Sequence, residues 1–326
     1  MKKNPNILVV GSFVMDQIAV MDAIPRPGQT ILGDTFSKAP GGKGANQAVQ
    51  MARLGADVTF VGKLGRDANG QEMLCTCQQA GVQTDWVLFD ETHASGCAVI
   101  LLEKQGGASV QNRIIVIPGA NMAITEQDIR FLEEKISQFD LVVLQLEIPM
   151  EINERVAAYA RKKGVPVLLN PAPSAPLSPE LISNLTFLCP NESEAENLTG
   201  IQIRRNSQGV CMMDVHAAAQ ELKKKGAANV LITLGDAGAF FQGESEAYYC
   251  PSVPDITAVD PTAAGDSFIG AFGWSICSGH GIAEAMKFAN EAAALTVMTV
   301  GAMPSLPTRD QVQRFVQERR SGGCAE

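Results

Sequence analysis

The sequence predicts an α/β fold in which a mostly parallel central sheet is covered by helices on both faces. Three observations lead to this prediction. The chain has 326 residues, of which 46% are apolar and 19% charged, as in ordinary globular proteins with a large core. Near-continuous apolar runs of strand length alternate with amphipathic stretches of helical length, a pattern typical of parallel sheets buried on both sides. No repeat or linker interrupts the alternation, so a single domain over residues 1–326 is expected.

The first apolar run, from Ile7 to Val20, contains an acid among apolar neighbours. Burying the Asp16 carboxylate costs several kcal/mol unless a partner binds it. We therefore expect Asp16 to hold a polar ligand, at the end of a strand in the central sheet. Val14 would present a hydrocarbon wall to that ligand.

The later elements continue the pattern. Further strands are predicted for DVTFVG, DLVVLQLE, VPVLLNPAP and NVLITLG. Helices are predicted for MEINERVAAYARKKG and VHAAAQELKKKGAA, each with a glycine near its end. Ligands of such sheets bind beyond the carboxyl ends of the strands. The polar residues Glu147, Asn170, Asn191 and Glu194 are expected at this edge.

One region, from Ser95 to Asn121, breaks the alternation. It contains two strand-like runs joined through Gly106 and Gly107 with no helix between them, which predicts a β-hairpin. Together with the Pro- and Gly-punctuated stretch from Val20 to Pro40, the hairpin would form a small sheet. That sheet would be either a lid over the site or an edge extension of the main sheet.

The segment AVDPTAAGDSFIGAFGWSI, residues 258–276, carries the strongest local signal. Its small residues Ala263, Ala264 and Gly265 permit close backbone approach, and the periodicity after Asp266 predicts a helix. Free N–H groups and the positive dipole end at a helix start favour binding of a phosphate. Asp266 could accept a proton from an alcohol beside that phosphate, or it could only cap its helix.

The segment PGGKGANQAVQMARLG is a glycine-rich helix start. Gly41, Gly42 and Gly44 permit tight turns, while Lys43 and Asn46 offer polar groups. The segment is not a Walker A loop, because no G-x4-G-K-S/T string occurs in the chain. A binding role and a purely turn-forming role are both compatible with this pattern.

Composition and cysteine spacing exclude several classes of function. The formal net charge of −9 disfavours binding to nucleic acid or to an anionic membrane. No apolar run reaches the roughly 18 to 20 residues that cross a bilayer. The eight cysteines form no C-x-x-C pair, and Cys75 and Cys77 would point to different faces of a helix, which disfavours a shared metal site. Without a recognisable signal peptide, a cytoplasmic protein with reduced thiols is expected.

Several motifs, taken in order, resemble those of one known family. They are GGKGANQA, PGAN, LQLE, LNPAP, PNESEAENLTG, LITLG, AAGDSFIGA and GAMPS. The family is the ribokinase-like, or PfkB, family of carbohydrate kinases, and the similarity spans nearly the whole chain. It implies a three-layer α/β/α sandwich with a small β-sheet lid at about residues 13–40 and 95–118. It also implies a homodimer formed through the lids, and transfer of the γ-phosphoryl group of ATP to O5 of D-ribose.

The resemblance also assigns roles to residues by their positions in these motifs. Asp266 would be the catalytic base, beside an anion hole formed by Ala263, Ala264 and Gly265. The sugar would be held by Asp16, Gly42, Lys43, Gly44, Asn46 and Glu147. The nucleotide would contact Asn191, Thr233, Gly235, Gly238, Gly265 and Asn290. Glu194 would organise Mg²⁺ and its waters. A K⁺ site would be formed by Asp260, Thr262, Thr296, Thr299, Gly301 and Ser305.

Two positions depart from the pattern of that family. Val14 stands where an asparagine usually binds the sugar, and deoxyribokinase-like relatives also have an apolar residue there. A deoxyribokinase acting on 2-deoxy-D-ribose is therefore the main alternative, because an apolar wall strands no polar group when a hydroxyl is missing. Pro261 and Thr262 replace a pair of threonines, and the proline removes one N–H. Less favoured alternatives are a kinase of another sugar or of a nucleoside, and a non-catalytic sugar sensor.

Overall fold

The computed structural model describes residues 4–105, 109–206 and 209–322, so the predicted turn residues Gly106 and Gly107 lie outside the described residues. The strands are β1 (Asn6–Val10), β2 (Val14–Met21), β3 (Thr35–Gly41), β4 (Asp57–Gly65), β5 (Gln83–Asp90), β6 (Cys97–Gln105), β7 (Ser109–Ile117), β8 (Leu141–Leu144), β9 (Val167–Leu169), β10 (Phe187–Leu188), β11 (Arg205–Asn206), β12 (Gly209–Val210), β13 (Val230–Thr233), β14 (Ala239–Gln242) and β15 (Ala247–Cys250). The α-helices are α1 (Lys43–Arg53), α2 (Ala68–Gln79), α3 (Glu126–Ile129), α4 (Leu132–Lys135), α5 (Met150–Lys163), α6 (Pro179–Asn184), α7 (Glu192–Thr199), α8 (Met212–Lys224), α9 (Ala264–Cys277), α10 (Ile282–Val297) and α11 (Arg309–Gly322).

The predicted mostly parallel central sheet is confirmed. Its nine strands follow the order β15-β14-β13-β10-β9-β8-β1-β4-β5. The strands from β13 to β5 in this order run parallel, and β14 and β15 are antiparallel at one edge. The carboxyl ends of the parallel strands therefore lie along one edge of the sheet, and ligands are predicted to bind at this edge.

Helices cover both faces of this sheet, which confirms the three layers. In β1, Ile7 and Val9 face a core shared with α1, α9 and α10. Leu8 and Val10 face the opposite core, which is shared with α5 and α8. All four side chains are fully buried, and each such burial stabilises the fold by about 1.5–3 kcal/mol relative to exposure.

A second, four-stranded sheet has the order β3-β2-β6-β7. Its strand β2 pairs antiparallel with β3 and parallel with β6. Strands β6 and β7 form an antiparallel pair with the register Cys97 to Ile117. The four strands are thus hydrogen-bonded to one another as a separate sheet and do not extend the edge of the main sheet.

The chain changes sheet between β1 and β2. We expected Asp16 at the end of a central strand, but this prediction is wrong, because β1 ends at Val10 and Asp16 lies in β2 of the small sheet. The change of sheet follows from Gly11, whose N–H donates to Val61 O at 3.0 Å. A Cβ at Gly11 would lie 2.9 Å from Gly44 Cα, so α1 approaches too closely for the run to continue as one strand.

Three expectations from composition and cysteine spacing concern the described residues. Over these residues, no helix has both the length and the apolar character needed to span a bilayer. Seven of the eight cysteines lie in the described ranges, and all seven are free thiols there. Within the same ranges, no cluster of three or more His, Cys, Asp or Glu side chains could hold a metal ion.

Candidate active site

Asp266 lies in the first turn of α9, at the carboxyl edge of the central sheet. The helix begins at Ala264, and Ala263 before it adopts a left-handed backbone conformation with φ of 60°. Such a conformation is unfavourable for alanine and is typical of functional sites. The N–H groups of a first helical turn have no acceptor within their own helix, so they are available to an anion unless another group accepts from them. Ala264 N donates to Pro261 O at 3.2 Å.

The Asp266 carboxylate faces α1 and is almost fully buried. Asn46 Nδ2 donates to Asp266 Oδ2 at 2.8 Å, and Gln47 Nε2 donates to Oδ1 at 2.9 Å. No side chain caps the start of α9, so the alternative that Asp266 only caps its helix does not describe the structure. Both carboxylate oxygens are instead held by side-chain amides from another helix.

Glycines at the start of α1 allow this approach. Gly42 has a φ of 97°, which favours glycine, and a Cβ there would lie 2.7 Å from Val14 N. A Cβ on Gly44 would lie 2.5 Å from Ser12 N. The glycines therefore form the turn and also bring α1 against the segment that enters β2, while a binding role for them stays a prediction.

Glu147 connects α1 to the end of β1. Its Oε2 atom accepts hydrogen bonds from Ser12 Oγ at 2.5 Å and from Lys43 N at 2.9 Å. Ser12 is fully buried between β1 and β2. The predicted sugar-binding residues Lys43 and Glu147 are thus brought together although 104 positions separate them in the sequence.

Asp16 faces this group from β2. Burial, followed by the charges of Glu147 and Asp266, raises the pKa of Asp16 to about 6. Within the described residues, no hydrogen bond to its carboxylate is found, so the partner expected from the sequence is not supplied by the protein. Its Oδ2 would lie 3.3 Å from a Cβ on Gly41, which places the carboxylate beside the turn that leads into α1.

Lys43 is the cation placed among these acids. Burial favours its neutral form, but the charges of Asp266, Glu147 and Glu194 outweigh this effect and raise its pKa. Burial also raises the pKa of Glu194, although the Asn191 N–H and Lys43 favour its charged form. Three carboxylates therefore act on the Lys43 ammonium group, and Asp16 is subject to the charges of two of them, Glu147 and Asp266, so groups that donate hydrogen bonds to these acids are favoured here.

Val14 lines the same region and is almost fully buried at 5% exposure.

The segment before Val14 is held in place by Asn121 of the PGAN motif. Asn121 Oδ1 accepts from Phe13 N at 2.9 Å, and its Nδ2 donates to Phe13 O at 2.7 Å and to Pro118 O at 2.9 Å. This asparagine joins the two ends of the small sheet where the chain enters β2 and leaves β7.

The predicted nucleotide-binding residues lie farther along the carboxyl edge. Asn191 and Glu194 form a capping box at the start of α7, with Asn191 Oδ1 accepting from Glu194 N at 2.8 Å. Asn191 also pairs with Thr233 in an isolated parallel bridge. The structure thus brings Asn191, Glu194 and Thr233 together.

Gly235, Gly238 and Asn290 form the other part of the predicted nucleotide set. Gly238 has a φ of 101°, and a Cβ there would lie 2.1 Å from Cys250 O, so only glycine fits. Asn290 Nδ2 donates to Cys250 O at 3.2 Å and to Pro251 O at 3.0 Å. Cys250 therefore links Asn290 to the loop of Gly235 and Gly238. A cavity of about 360 Å³ lies against Asn290.

The predicted cation-binding residues Asp260, Thr262, Thr299 and Gly301 lie on two neighbouring loops, whereas Thr296 lies near the end of α10 and Ser305 in a short 3-10 turn. Asp260 Oδ1 accepts from Thr262 N at 2.9 Å, and Oδ2 accepts from Gly301 N at 2.8 Å. These bonds outweigh the effect of burial and lower the pKa of Asp260. Asp260 N donates to Val297 O at 3.1 Å, which brings the loop beside the end of α10.

The remaining cation-binding candidates are adjacent to this pair of loops. Thr299 N donates to Thr296 O at 3.1 Å, and Ser305 Oγ donates to Ala302 O at 2.7 Å. The Thr296 hydroxyl points inward and donates to Ser267 Oγ at 2.8 Å. Carbonyl and carboxylate oxygens are the donors that hard cations prefer, so this donor set fits such an ion.

Comparison with known proteins decides the family. Residues 4–309 match the family described as pfkB family carbohydrate kinase. The chain belongs to this family. The ribokinase of Schizosaccharomyces pombe is 40% identical over 310 residues, which cover 93% of this chain and 95% of that protein. The ribokinase of Bacillus subtilis is 38% identical over 312 residues, which cover 95% and 99%.

A solved structure has the same fold. The structure of Arabidopsis thaliana ribokinase complexed with ribose and ATP has a TM-score of 0.88 and 33% sequence identity to this chain. The match covers 97% of this chain and 99% of the Arabidopsis chain. The α/β architecture of this PfkB family member is therefore shared over almost the full length.

Two buried residues of the PfkB family member escaped the sequence analysis. Ser12 and Gln47 are fully buried and bond Glu147 and Asp266, respectively. Gln47 stands directly after Asn46 in GGKGANQA, so its motif was a signal. Ser12 has no such signal, because a serine after a strand end is common and its contact with Glu147 depends on the tertiary fold.

Arg205 is a third contact that the sequence did not indicate. Its Nε and Nη2 bond both oxygens of Glu192 at 2.9 and 2.6 Å, and its Nη1 bonds Asp236 Oδ1 at 2.5 Å. Nη2 also donates to Leu234 O at 2.8 Å. In this PfkB family member, Arg205 thereby joins the start of α7 to the loop of the predicted nucleotide site.

Proposed function

We propose that this chain is an ATP-dependent ribokinase, which transfers the γ-phosphoryl group of ATP to O5 of D-ribose. The observation that carries the proposal is the Asp266 carboxylate, held at the start of α9 by two amides of α1 in a PfkB family fold. The ribokinases described above are 38% and 40% identical to the chain over nearly its full length. ATP and ribose are the molecules bound in the Arabidopsis ribokinase structure.

In the proposed reaction, Asp266 is the general base. Its carboxylate accepts the proton of the sugar hydroxyl while that oxygen attacks the γ-phosphorus. The N–H groups around Ala263, Ala264 and Gly265 stabilise the negative charge on the transferred group. Phosphoryl transfer needs little covalent help from the protein, so placing these groups in line supplies most of the rate enhancement.

The sugar is proposed to lie between the two sheets. Asp16, Asn46 and Glu147 accept or donate hydrogen bonds to its hydroxyls, while Gly42 and Gly44 let it approach the backbone. Two findings support this placement: Asp16 has no hydrogen-bond partner within the described residues, and burial with the charges of Glu147 and Asp266 raises its pKa, so hydroxyl groups that donate to its carboxylate would stabilise the charged form. Lys43 balances the negative charge of the group.

The nucleotide is proposed to lie along the other side of Asp266. Asn191, Thr233, Gly235 and Gly238 contact it, with the adenine near Asn290 and the cavity beside it. We place the protein in the cytoplasm, where ATP is available.

Two metal ions belong to the proposal. Glu194 would orient Mg²⁺ through its waters, and Mg²⁺ would neutralise charge on the phosphates. K⁺ would bind among the oxygens of the two loops that Asp260 joins, a set comprising Asp260, Thr262, Thr296, Thr299, Gly301 and Ser305. Asp260 accepts hydrogen bonds from Thr262 N and Gly301 N, and this link between the two loops supports a shared ion site.

We further propose that the small sheet is a lid, at about residues 13–40 and 95–118, and that two chains pair through their lids. The edge strand β7 exposes four consecutive apolar residues, Ile114 to Ile117, each by 44–58%. Phe36 of β3 is 62% exposed. An apolar surface on the outer strand of a small sheet favours burial against a second copy. Closure of the lid would exclude water, which otherwise competes for the phosphoryl group.

The proposal is tested by measuring ADP formation with D-ribose, with adenosine and without acceptor, and by identifying the product. Ribose-dependent turnover that yields ribose 5-phosphate is expected, and Asp266→Ala should lower it by at least about 100-fold. A preference for adenosine would show a nucleoside kinase. Ribose binding without turnover in the presence of Mg²⁺, K⁺ and ATP would show a non-catalytic sensor.

A second candidate activity is phosphorylation of 2-deoxy-D-ribose. The observation that favours it is Val14, a buried apolar side chain beside Gly42 and the entry to β2. A pocket that offers no polar group to a hydroxyl does not penalise a sugar that lacks it. The ribose and 2-deoxyribose reactions are compared directly in the experiment on Val14 described below.

A further inference from the structure

A buried chain of side chains leads from the core to Asp266. Gln145 Nε2 donates to Gln47 Oε1 at 2.7 Å. Gln47 Nε2 donates to Asp266 Oδ1 at 2.9 Å and to Asn170 Oδ1 at 3.2 Å. Gln47 and Gln145 are both fully buried. The Gln47 amide therefore uses its oxygen and both of its N–H bonds, and solvent supplies none of its partners.

The orientation of the Gln47 amide in this series of hydrogen bonds is fixed. If the Gln47 amide were reversed, its oxygen would face the oxygens of Asp266 and Asn170, which repel it. The Gln145 N–H group favours the observed orientation, because it needs an acceptor on the other side of Gln47. Gln145 thus reinforces the orientation of the Gln47 amide that Asp266 and Asn170 favour.

Folding stability alone does not explain this series of hydrogen-bonded side chains. Gln145 Oε1 is buried and has no hydrogen-bond partner among the described residues, which is unfavourable for folding. The space for this oxygen exists because residue 11 is glycine, where a Cβ would lie 2.2 Å from Gln145 Oε1. An apolar side chain at position 145 would avoid the unpaired oxygen, but it would leave the Gln47 amide without its orienting donor.

We propose that Gln47 is a positioning residue for the phosphoryl transfer, and that Gln145 orients it. Gln47 holds Oδ1 of Asp266, so Oδ2 is the oxygen that faces the sugar. Asn46 holds Oδ2 in the absence of substrate and can release it when the hydroxyl enters, because Gln47 alone keeps the plane of the carboxylate fixed. This inference rests on the proposed role of Asp266 as the base.

The test compares two glutamines of α1 that are equally buried. Gln47→Met keeps the size of the side chain and removes its donor to Asp266. Gln50→Met is the matched control, because Gln50 is also fully buried but donates to Pro307 O and accepts from Ser267 Oγ. For Gln47→Met we expect kcat to fall about 10- to 100-fold, with KM for ribose and ATP changed less than about threefold. Gln50→Met should retain kcat within about threefold of the wild type.

A double-mutant cycle separates positioning from general destabilisation. In an Asp266→Ala background, Gln47→Met should change the residual turnover by less than about twofold, because the carboxylate that it positions is gone. Calorimetric titration with ribose and a non-hydrolysable ATP analogue should still show about one site per chain. Gln145→Met, which does not touch Asp266, should lower kcat by a smaller factor and should be non-additive with Gln47→Met.

Several results would overturn the inference. Unchanged kcat in Gln47→Met, equal losses in Gln47→Met and Gln50→Met, or multiplicative losses in the Asp266→Ala background would each do so. If Gln47→Met does not fold, unchanged kcat in Gln145→Met would have the same meaning. Failure of the proposed function looks different, because the wild type itself would then show no ribose-dependent turnover.

Discussion

Asn46 and Asp266 are joined by a hydrogen bond of 2.8 Å between Asn46 Nδ2 and Asp266 Oδ2, although they are 220 positions apart in the sequence. The bond connects the first turn of α1 to the first turn of α9. Asp266 is only 7% exposed, so its charge is balanced by side-chain amides more than by water. The proposed base is thus assembled by the packing of two distant helices.

Replacing the proposed base tests this assembly. In Asp266→Asn we expect kcat for ribose to fall by about 10²–10⁴, because the amide cannot accept the proton of the sugar hydroxyl. ADP formation measures the rate, and calorimetry should show that ATP still binds. Asp310→Asn, an exposed acid in the first turn of α11, is the control and should keep the wild-type rate. Substantial turnover in Asp266→Asn would mean that another group accepts the proton.

The second prediction concerns sugar selectivity at Val14. Val14→Asn adds a polar group to the wall of the sugar pocket, and an unpaired buried amide disfavours the sugar that lacks the hydroxyl. The ratio of kcat/KM for ribose to that for 2-deoxyribose should rise at least about tenfold. Val14→Ala, which changes size without adding a polar group, should leave this ratio near that of the wild type. An unchanged ratio in Val14→Asn would show that selectivity is set elsewhere.

The third prediction concerns pH and Asp16. Burial, followed by the charges of Glu147 and Asp266, raises the pKa of Asp16 to about 6. Sugar hydroxyls donate to the ionised form, so kcat/KM for ribose should fall as the pH decreases through about 6. In Asp16→Asn, kcat/KM should be low at all pH values and the fall centred near pH 6 should be absent. A fall near pH 6 that persists in Asp16→Asn would assign it to another group.

The same raised pKa affects folding stability in the opposite direction. Between the unfolded value of 3.8 and about 6, the folded chain binds more protons at Asp16 than the unfolded chain does. Its contribution to the free energy of unfolding is therefore greatest below pH 4 and is lost as the pH rises through 6. At pH 7, Asp16→Asn should be more stable than the wild type by about 1–3 kcal/mol, as measured by urea unfolding of the unliganded proteins.

The fourth prediction concerns the proposed K⁺ site. KCl should raise kcat relative to the same concentration of NaCl, and Asp260→Ala should remove the difference. The reason is that Asp260 bonds Thr262 N and Gly301 N and so holds together the two loops that supply the oxygens. Asp255→Ala on the preceding loop is the control and should keep the response to KCl. A wild-type enzyme with the same kcat in both salts would remove K⁺ from the proposal.

The fifth prediction concerns pairing through the lids. Sedimentation of the wild type should give the mass of two chains. Ile115→Arg should give single chains, because a charge on β7 cannot be buried without a partner. The control is Met213→Arg, which alters a 76% exposed apolar residue on α8 and should leave the dimer intact. A dimer that survives Ile115→Arg would place the contact on another surface.

The central sheet could be predicted from the sequence because local pattern decides it. Runs such as VTFVG and LVVL are apolar on both faces, and only a sheet covered by two layers of helices buries both. The position of Asp16 could not be predicted in this way. Asp16 lies in the small sheet, beyond the point where α1 closely approaches Gly11. This approach is a contact between Gly11 and Gly44, 33 positions apart, which a local sequence pattern does not predict.

The same distinction between local pattern and tertiary contact applies to the residues of the proposed site. Asp266, Lys43 and Asn191 were recognised because each stands in a distinctive motif. Ser12 was not, because it stands in no motif and its partner Glu147 is 135 positions away. Gln47 was overlooked although it stands in GGKGANQA, because its bond to Asp266, 219 positions away, depends on the tertiary fold. The roles assigned to the sugar, nucleotide and cation sets remain predictions, although the structure brings the members of each set into neighbouring positions.

The mutual repulsion of the acids Asp16, Glu147, Glu194 and Asp266 has a consequence for the lifetime of the protein in a cell. Burial and the like charges of these acids oppose folding, because both raise the pKa of Asp16 and of Glu194 in the folded chain. Ligands that relieve this repulsion bind only the folded chain and shift its equilibrium away from the unfolded form. Proteases degrade chains that open, so the amount of this protein should follow the supply of its own substrates, with no dedicated regulator required.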